Sequence, residues 1–79
     1  MNLITMDGTV YRFSIHNKDR ASAVYIYVGS ELVAIVCVMH KAQRACYDLP
    51  EKSGIDVDYE TWAKEPIEDF ATWVVDQIK

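Results

Sequence analysis

Hydrophobic positions along the chain change their period once. From residue 2 to about residue 49 they alternate with polar residues or run in short blocks of β-branched and aromatic side chains; from residue 66 onward they recur every three or four positions. A period of two marks half-buried strands and a period near 3.6 marks an amphipathic helix. The chain therefore reads as strands first and helices last.

The first strand signal is "NLITMDGTVYRFSIH", residues 2–16. Asp7-Gly8 stands between two β-type segments, and this dipeptide suits the positive φ angles of a two-residue hairpin turn. After it Val10, Arg12, Ser14 and His16 point one way and Tyr11, Phe13 and Ile15 the other. The second set forms the core face. "NKDRAS" (17–22) is a polar loop, and "AVYIYV" (23–28) is a strand rich in residues that pack well on a pleated surface. Gly29-Ser30 makes a second tight turn. "ELVAIVCVM" (31–39) then reads as a central strand, apolar on both faces. A rival reading caps a helix at Ser30 and runs it through residues 31–49; Val33, Ile35, Val36 and Val38, all β-branched, favour the strand. "RACYDL" (44–49) is a further strand stopped by Pro50, and "PEKSG" (50–54) is a loop.

Asp58 is placed to cap a short helix over "YETWAKE" (59–65). Pro66 suits the first position of a second helix, where its missing N–H is not needed. In that helix Ile67, Phe70, Ala71, Val74 and Ile78 form one apolar stripe, with Trp73 and Val75 at its margins. The expected fold is α+β: a small antiparallel sheet of about four to five strands with an N-terminal hairpin, followed by two C-terminal helices packed on one face. All 79 residues are expected to form one domain.

Composition narrows the function classes. The chain is 51% hydrophobic and 25% charged, too apolar for a disordered segment of this charge. No apolar run approaches the roughly 20 residues of a membrane span. "MNLITMDGT" lacks the basic-then-apolar pattern of a signal peptide, so the expected location is the cytoplasm, of the host if the protein is phage-encoded. Cys37 and Cys46 are then expected to be free thiols. Charge is unevenly placed: residues 1–47 hold five basic and three acidic residues, residues 48–79 three basic and nine acidic ones.

A search for catalytic or metal chemistry leaves little. Cys37, Cys46, His16 and His40 lack the paired spacing of a structural zinc site. No glycine-rich phosphate loop is present, since the three glycines stand apart at 8, 29 and 54. A thiolate pair between Cys46 and His16 or His40 has no local motif to support it. Tyr25 and Tyr27 share one strand face and aromatics there can stack unpaired bases, but the acidic balance opposes nucleic-acid binding. The expectation is a non-enzyme without cofactor or metal.

What remains is the acidic segment. Asp56, Asp58, Glu60, Glu65, Glu68 and Asp69 fall within fourteen residues, and Tyr59 and Trp62 are neighbours at i, i+3 on one helical face. These eight residues are the candidate partner-binding set. Acids at helix starts also stabilise the helix, and both aromatics also suit the core. As a binding face, the set joins charge that selects a basic partner to aromatic anchors.

In architecture and charge, the hairpin "TMDGTV", the strand pair "VYIYVGSELVAIV" and the acidic helices "DVDYETWAKEPIEDFATWVV" resemble small phage-encoded anti-CRISPR proteins. They also resemble the immunity proteins and antitoxins that neutralise basic nucleases. These groups share no residue motif, so no functional residue is carried over. The resemblance implies an inhibitor, monomer or homodimer, whose acidic face imitates nucleic-acid phosphates and occupies the basic groove of a protein or nucleoprotein complex, without touching nucleic acid or membrane. The alternative is a small accessory subunit or adaptor that docks through a strand edge or the Trp-bearing helix.

Overall fold

A computed structural model describes residues 2–79. Six strands form one antiparallel sheet: β1 (Asn2–Ile4), β2 (Val10–Lys18), β3 (Ala21–Val28), β4 (Glu31–Met39), β5 (Arg44–Leu49) and β6 (Lys52–Val57). Their order in space is their order in the chain, so the sheet is a simple meander. Two helices follow, α1 (Tyr59–Trp62) and α2 (Ile67–Ile78). The α+β class and the strands-then-helices order stand as read, but the sheet has six strands rather than four or five.

The extra strand is β6, whose first three residues lie in the segment 50–54 that reads as a loop. Lys52, Ser53 and Gly54 are poor strand formers, and β6 is an edge strand that pairs only with β5. Gly54 takes a φ of +67°, its N–H donates to the Asp48 carboxylate at 2.5 Å, and the β5–β6 register shifts between Tyr47 and Leu49. A bulge of this kind hides a strand from pattern reading, because alternation breaks across it.

The first hairpin also differs from expectation. Ile4 pairs with Val10, so the loop is Thr5–Thr9 rather than Asp7-Gly8 alone. The Asp7 carboxylate accepts from the Thr5 hydroxyl and, at 3.0 Å, from the Thr9 N–H. The aspartate is thus a loop organiser, and Gly8 supplies the only positive φ of the loop. The Gly29-Ser30 turn is tight, closing between Val28 and Glu31. Residues 31–39 are a strand and the helix alternative fails: β4 pairs with β3 from Glu31 to Met39 and with β5 from Ile35 to Met39.

Register assigns every strand residue to a face. Phe13, Ile26 and Ala34 form one cross-strand row, and Ile15, Val24, Val36, Tyr47 and Ile55 another. Apart from Ile55, these rows meet the Ile67, Phe70, Ala71, Val74 and Val75 side of α2 in a single core. The alternation of β2 falls as expected, with Tyr11 and Phe13 buried. On α2, Val75 is fully buried and central, not marginal, while Ile78 is only partly covered. Helix α1 is a single turn, shorter than its sequence signal. Pro66 occupies the cap position of α2 with extended backbone, one residue before its expected place. Among the described residues no helix is long and apolar enough to cross a membrane.

Candidate functional site

The acidic segment begins on the sheet and ends on the helices. Asp56 lies on β6 and accepts from Arg44 on β5, with a shortest contact of 2.6 Å, so it is partnered within the chain. Asp58 caps α1: one oxygen accepts from the Glu60 N–H at 3.2 Å and the other from the Thr61 hydroxyl at 2.6 Å. The Thr61 hydroxyl and the backbone amides hold its carboxyl below the usual carboxylate range. Asp7 is lowered likewise, first by the Thr5 hydroxyl and then by Thr9. Both pKa values are depressed in the folded state, so both groups stabilise the fold above the ordinary carboxylate range. That contribution is lost as pH falls through their depressed values. Asp58→Asn should therefore be less stable than the parent at neutral pH, and the gap should close as pH falls through the depressed value, as followed by urea unfolding at a series of pH values.

Tyr59 and Trp62 do not stand free as anchors. Trp62 stacks on Phe70 at 4.7 Å between ring centroids with 16° between planes, and touches Trp73 at 5.6 Å. Tyr59 packs at the core margin, with its ring edge toward His40. Both are half-buried, and each offers only part of its surface to a partner.

Of the remaining four carboxylates, Glu60, Glu65 and Asp69 are exposed and Glu68 is half-buried. Glu60 is on α1, Glu65 in the link, and Glu68 and Asp69 in the first turn of α2, where their charge also favours the helix end. Among the described residues none of the four makes an ion pair; Arg44 and Lys79 are spent on Asp56 and Asp76. Glu65 and Glu68 line one polar hollow of about 200 Å³ with Asn17, Ser22 and His40. The structure thus gathers Glu60, Glu65, Glu68 and Asp69 at the α1–α2 corner. It assigns Asp58 to capping, Asp56 to the sheet face and the two aromatics mainly to packing.

The thiols and imidazoles do not assemble into a nucleophilic pair. His16, Ala23, Cys37 and Cys46 follow one another across β2, β3, β4 and β5. Three strand spacings separate His16 from Cys46, roughly 14 Å. His40 lies in the β4–β5 turn with its ring against Tyr59. Burial pushes both thiols up, away from the thiolate form. Among the described residues no three His, Cys, Asp or Glu side chains gather to hold a metal, and every buried side-chain polar atom has a hydrogen-bond partner. A hollow of about 510 Å³ is an open trough beside the end of α2, lined by Tyr11, Val28, Val33, Leu49 and Ile78 among others.

Sequence reasoning missed the helix-free face of the sheet. Register places Arg12, Ser14, His16, Ala23, Tyr25, Tyr27, Leu32, Ile35, Cys37, Met39 and Cys46 on it. The signal was present in β4, apolar on both faces, which implies that two surfaces need covering. Comparison with protein-family models, with curated proteins and with solved structures gave no match.

Proposed function

We propose that the chain is a non-catalytic binding protein whose acidic corner docks on a basic groove of a nucleic-acid-handling protein or complex and blocks it. One observation carries this reading: Glu60, Glu65, Glu68 and Asp69 crowd a two-helix corner and, among the described residues, make no ion pair. Lys64 is the one base within the segment, so its four unpaired acids outweigh it, and a basic partner relieves the remaining repulsion. The same crowding imitates a run of phosphates, so association is fast, selective and salt-sensitive.

Docking through the outer edge of β6 has less in its favour. The Gly54 bulge and the charged Lys52 and Asp56 interrupt the row of free backbone groups that an added strand needs. Docking through the tryptophans would unstack Trp62 from Phe70.

The test is capture of partners on the immobilised chain at low salt, elution with a salt gradient, and competition by a DNA duplex. The expected partner is a nucleic-acid-binding protein that salt releases and duplex DNA displaces. The fourfold variant Glu60→Gln, Glu65→Gln, Glu68→Gln, Asp69→Asn is expected to lose about tenfold or more in affinity. Its melting temperature should stay within a few degrees of the parent. Unchanged binding by that variant would overturn the proposal.

A further inference from the structure

The two faces of the sheet are unequal. Helix α2 covers one, and among the described residues no element packs on the other. Across the open face run four rows of side chains: Arg12, Tyr27, Leu32; Ser14, Tyr25, Ile35, Asp48; His16, Ala23, Cys37, Cys46, Asp56; and Lys18, Ala21, Met39, Arg44. The middle of this array is apolar, with Tyr25, Leu32, Ile35, Cys37 and Met39 on the two central strands. The charges sit at its sides. An apolar centre with a polar rim is the anatomy of a protein–protein interface.

We propose that this open face is the interface of a homodimer, in which two copies pack sheet on sheet. The charge pattern points to a second copy. The β2 side of the face carries Arg12, His16 and Lys18 and no acid. The β5–β6 side carries Asp48 and Asp56 against a single Arg44, itself bonded to Asp56. A two-fold axis parallel to the strands, between β3 and β4, lays β2 of one copy over β5 of the other. Arg12 then comes within one row of the second copy's Asp48, twice by symmetry, Lys18 falls opposite an Arg44 already neutralised by Asp56, and the apolar centre meets itself, as an isologous contact requires. Sheets packed this way keep their strands within about 30° of each other.

Area agrees. Four strands about 4.8 Å apart and about seven residues long give roughly 450 Å² of sheet face per copy, so a pair buries on the order of 900 Å², the size of a weak, concentration-dependent interface. A single-stranded nucleic acid fits the face less well. The Tyr27 ring is already covered by the Arg12 guanidinium at 4.4 Å, and Tyr25 receives His16 edge-on at 5.2 Å, so neither ring is open to a stacked base. The aliphatic and thiol centre also offers bases no hydrogen bonds.

The experiment is sedimentation velocity of the full chain from low micromolar to near-millimolar concentration, with the parent and with Ile35→Lys. The parent is expected to sediment as a dimer at the upper end and the variant as a monomer throughout, with unchanged circular dichroism. A parent that stays monomeric at the highest concentration, or a variant that still dimerises, would overturn the proposal. If Ile35→Lys does not fold, Leu32→Lys, at a position already 38% exposed, replaces it. A second reading uses the parent alone: alkylation of Cys37, half-exposed on the open face, should slow severalfold as concentration rises through the dimer range. A rate independent of concentration counts against the dimer, as does a monomer that binds a single-stranded oligothymidylate through this face. Since this face lies apart from the α1–α2 corner, the fourfold acidic variant should dimerise like the parent.

Discussion

Replacing Phe70 by alanine is expected to cost about 3–5 kcal/mol and to lower the melting temperature by at least about 12 °C. Phe70 is fully buried, the largest of the fully buried side chains. It stands where α2 meets the sheet, and it carries the Trp62 stack on one side and Tyr47 edge-on at 6.5 Å on the other. Removing the ring deletes its own burial and leaves a cavity whose walls, a pleated sheet and a helix, collapse poorly. The expected loss is a large part of the whole stability of a domain this small. Thermal and urea unfolding followed by circular dichroism measure it; a melting temperature within a few degrees of the parent would mean that the helix does not close on the sheet through this residue.

The second large effect is expected at Trp62. Its replacement by alanine should cost roughly 2–3 kcal/mol, below the 3–5 of a fully buried aromatic because part of the ring stays in water. It should also be strongly non-additive with Phe70→Ala, since each ring is the other's neighbour. This separates two roles for one residue. If Trp62 serves only as a partner anchor, its loss leaves unfolding unchanged and weakens binding. If it is a packing residue that ties the single-turn α1 to α2, unfolding shifts first and binding follows. Urea titration of Trp62→Ala, Phe70→Ala and the double variant gives the answer as a coupling energy, and a value near zero would remove the stack from the account.

The sequence carried the fold wherever burial was one-sided. Tyr11, Phe13 and Ile15 alternate because only one face of β2 meets the helix, and Ile67, Phe70, Ala71 and Val74 repeat because α2 has one dry stripe. It carried the Asp58 cap because that interaction is local. It did not carry β6, whose strand character comes from pairing with β5 and whose glycine reads as a loop until the bulge around it is seen. Nor did it carry the loop role of Asp7, because Asp-Gly suits a tight turn and an organised five-residue loop alike. For the acidic segment the chain order showed density without partners. Only three dimensions show that Asp56 is held by Arg44 while Glu60, Glu65, Glu68 and Asp69 stay together at one corner. The open face was hidden for a further reason: its rows run across strands, so its neighbours lie far apart in the chain.

The meander bears on how the chain reaches this structure. Each strand pairs with the one beside it in sequence, so every pairing closes a short loop at small entropic cost and the sheet can zip from any hairpin. The helix differs: its contacts reach back to β2, across most of the chain, and they form after the residues they cover. Until α2 arrives, the sheet is apolar on both sides. A nascent or transiently opened chain is therefore a two-faced sticky ribbon, and it becomes single-sided only when α2, which follows every strand in the chain, has docked.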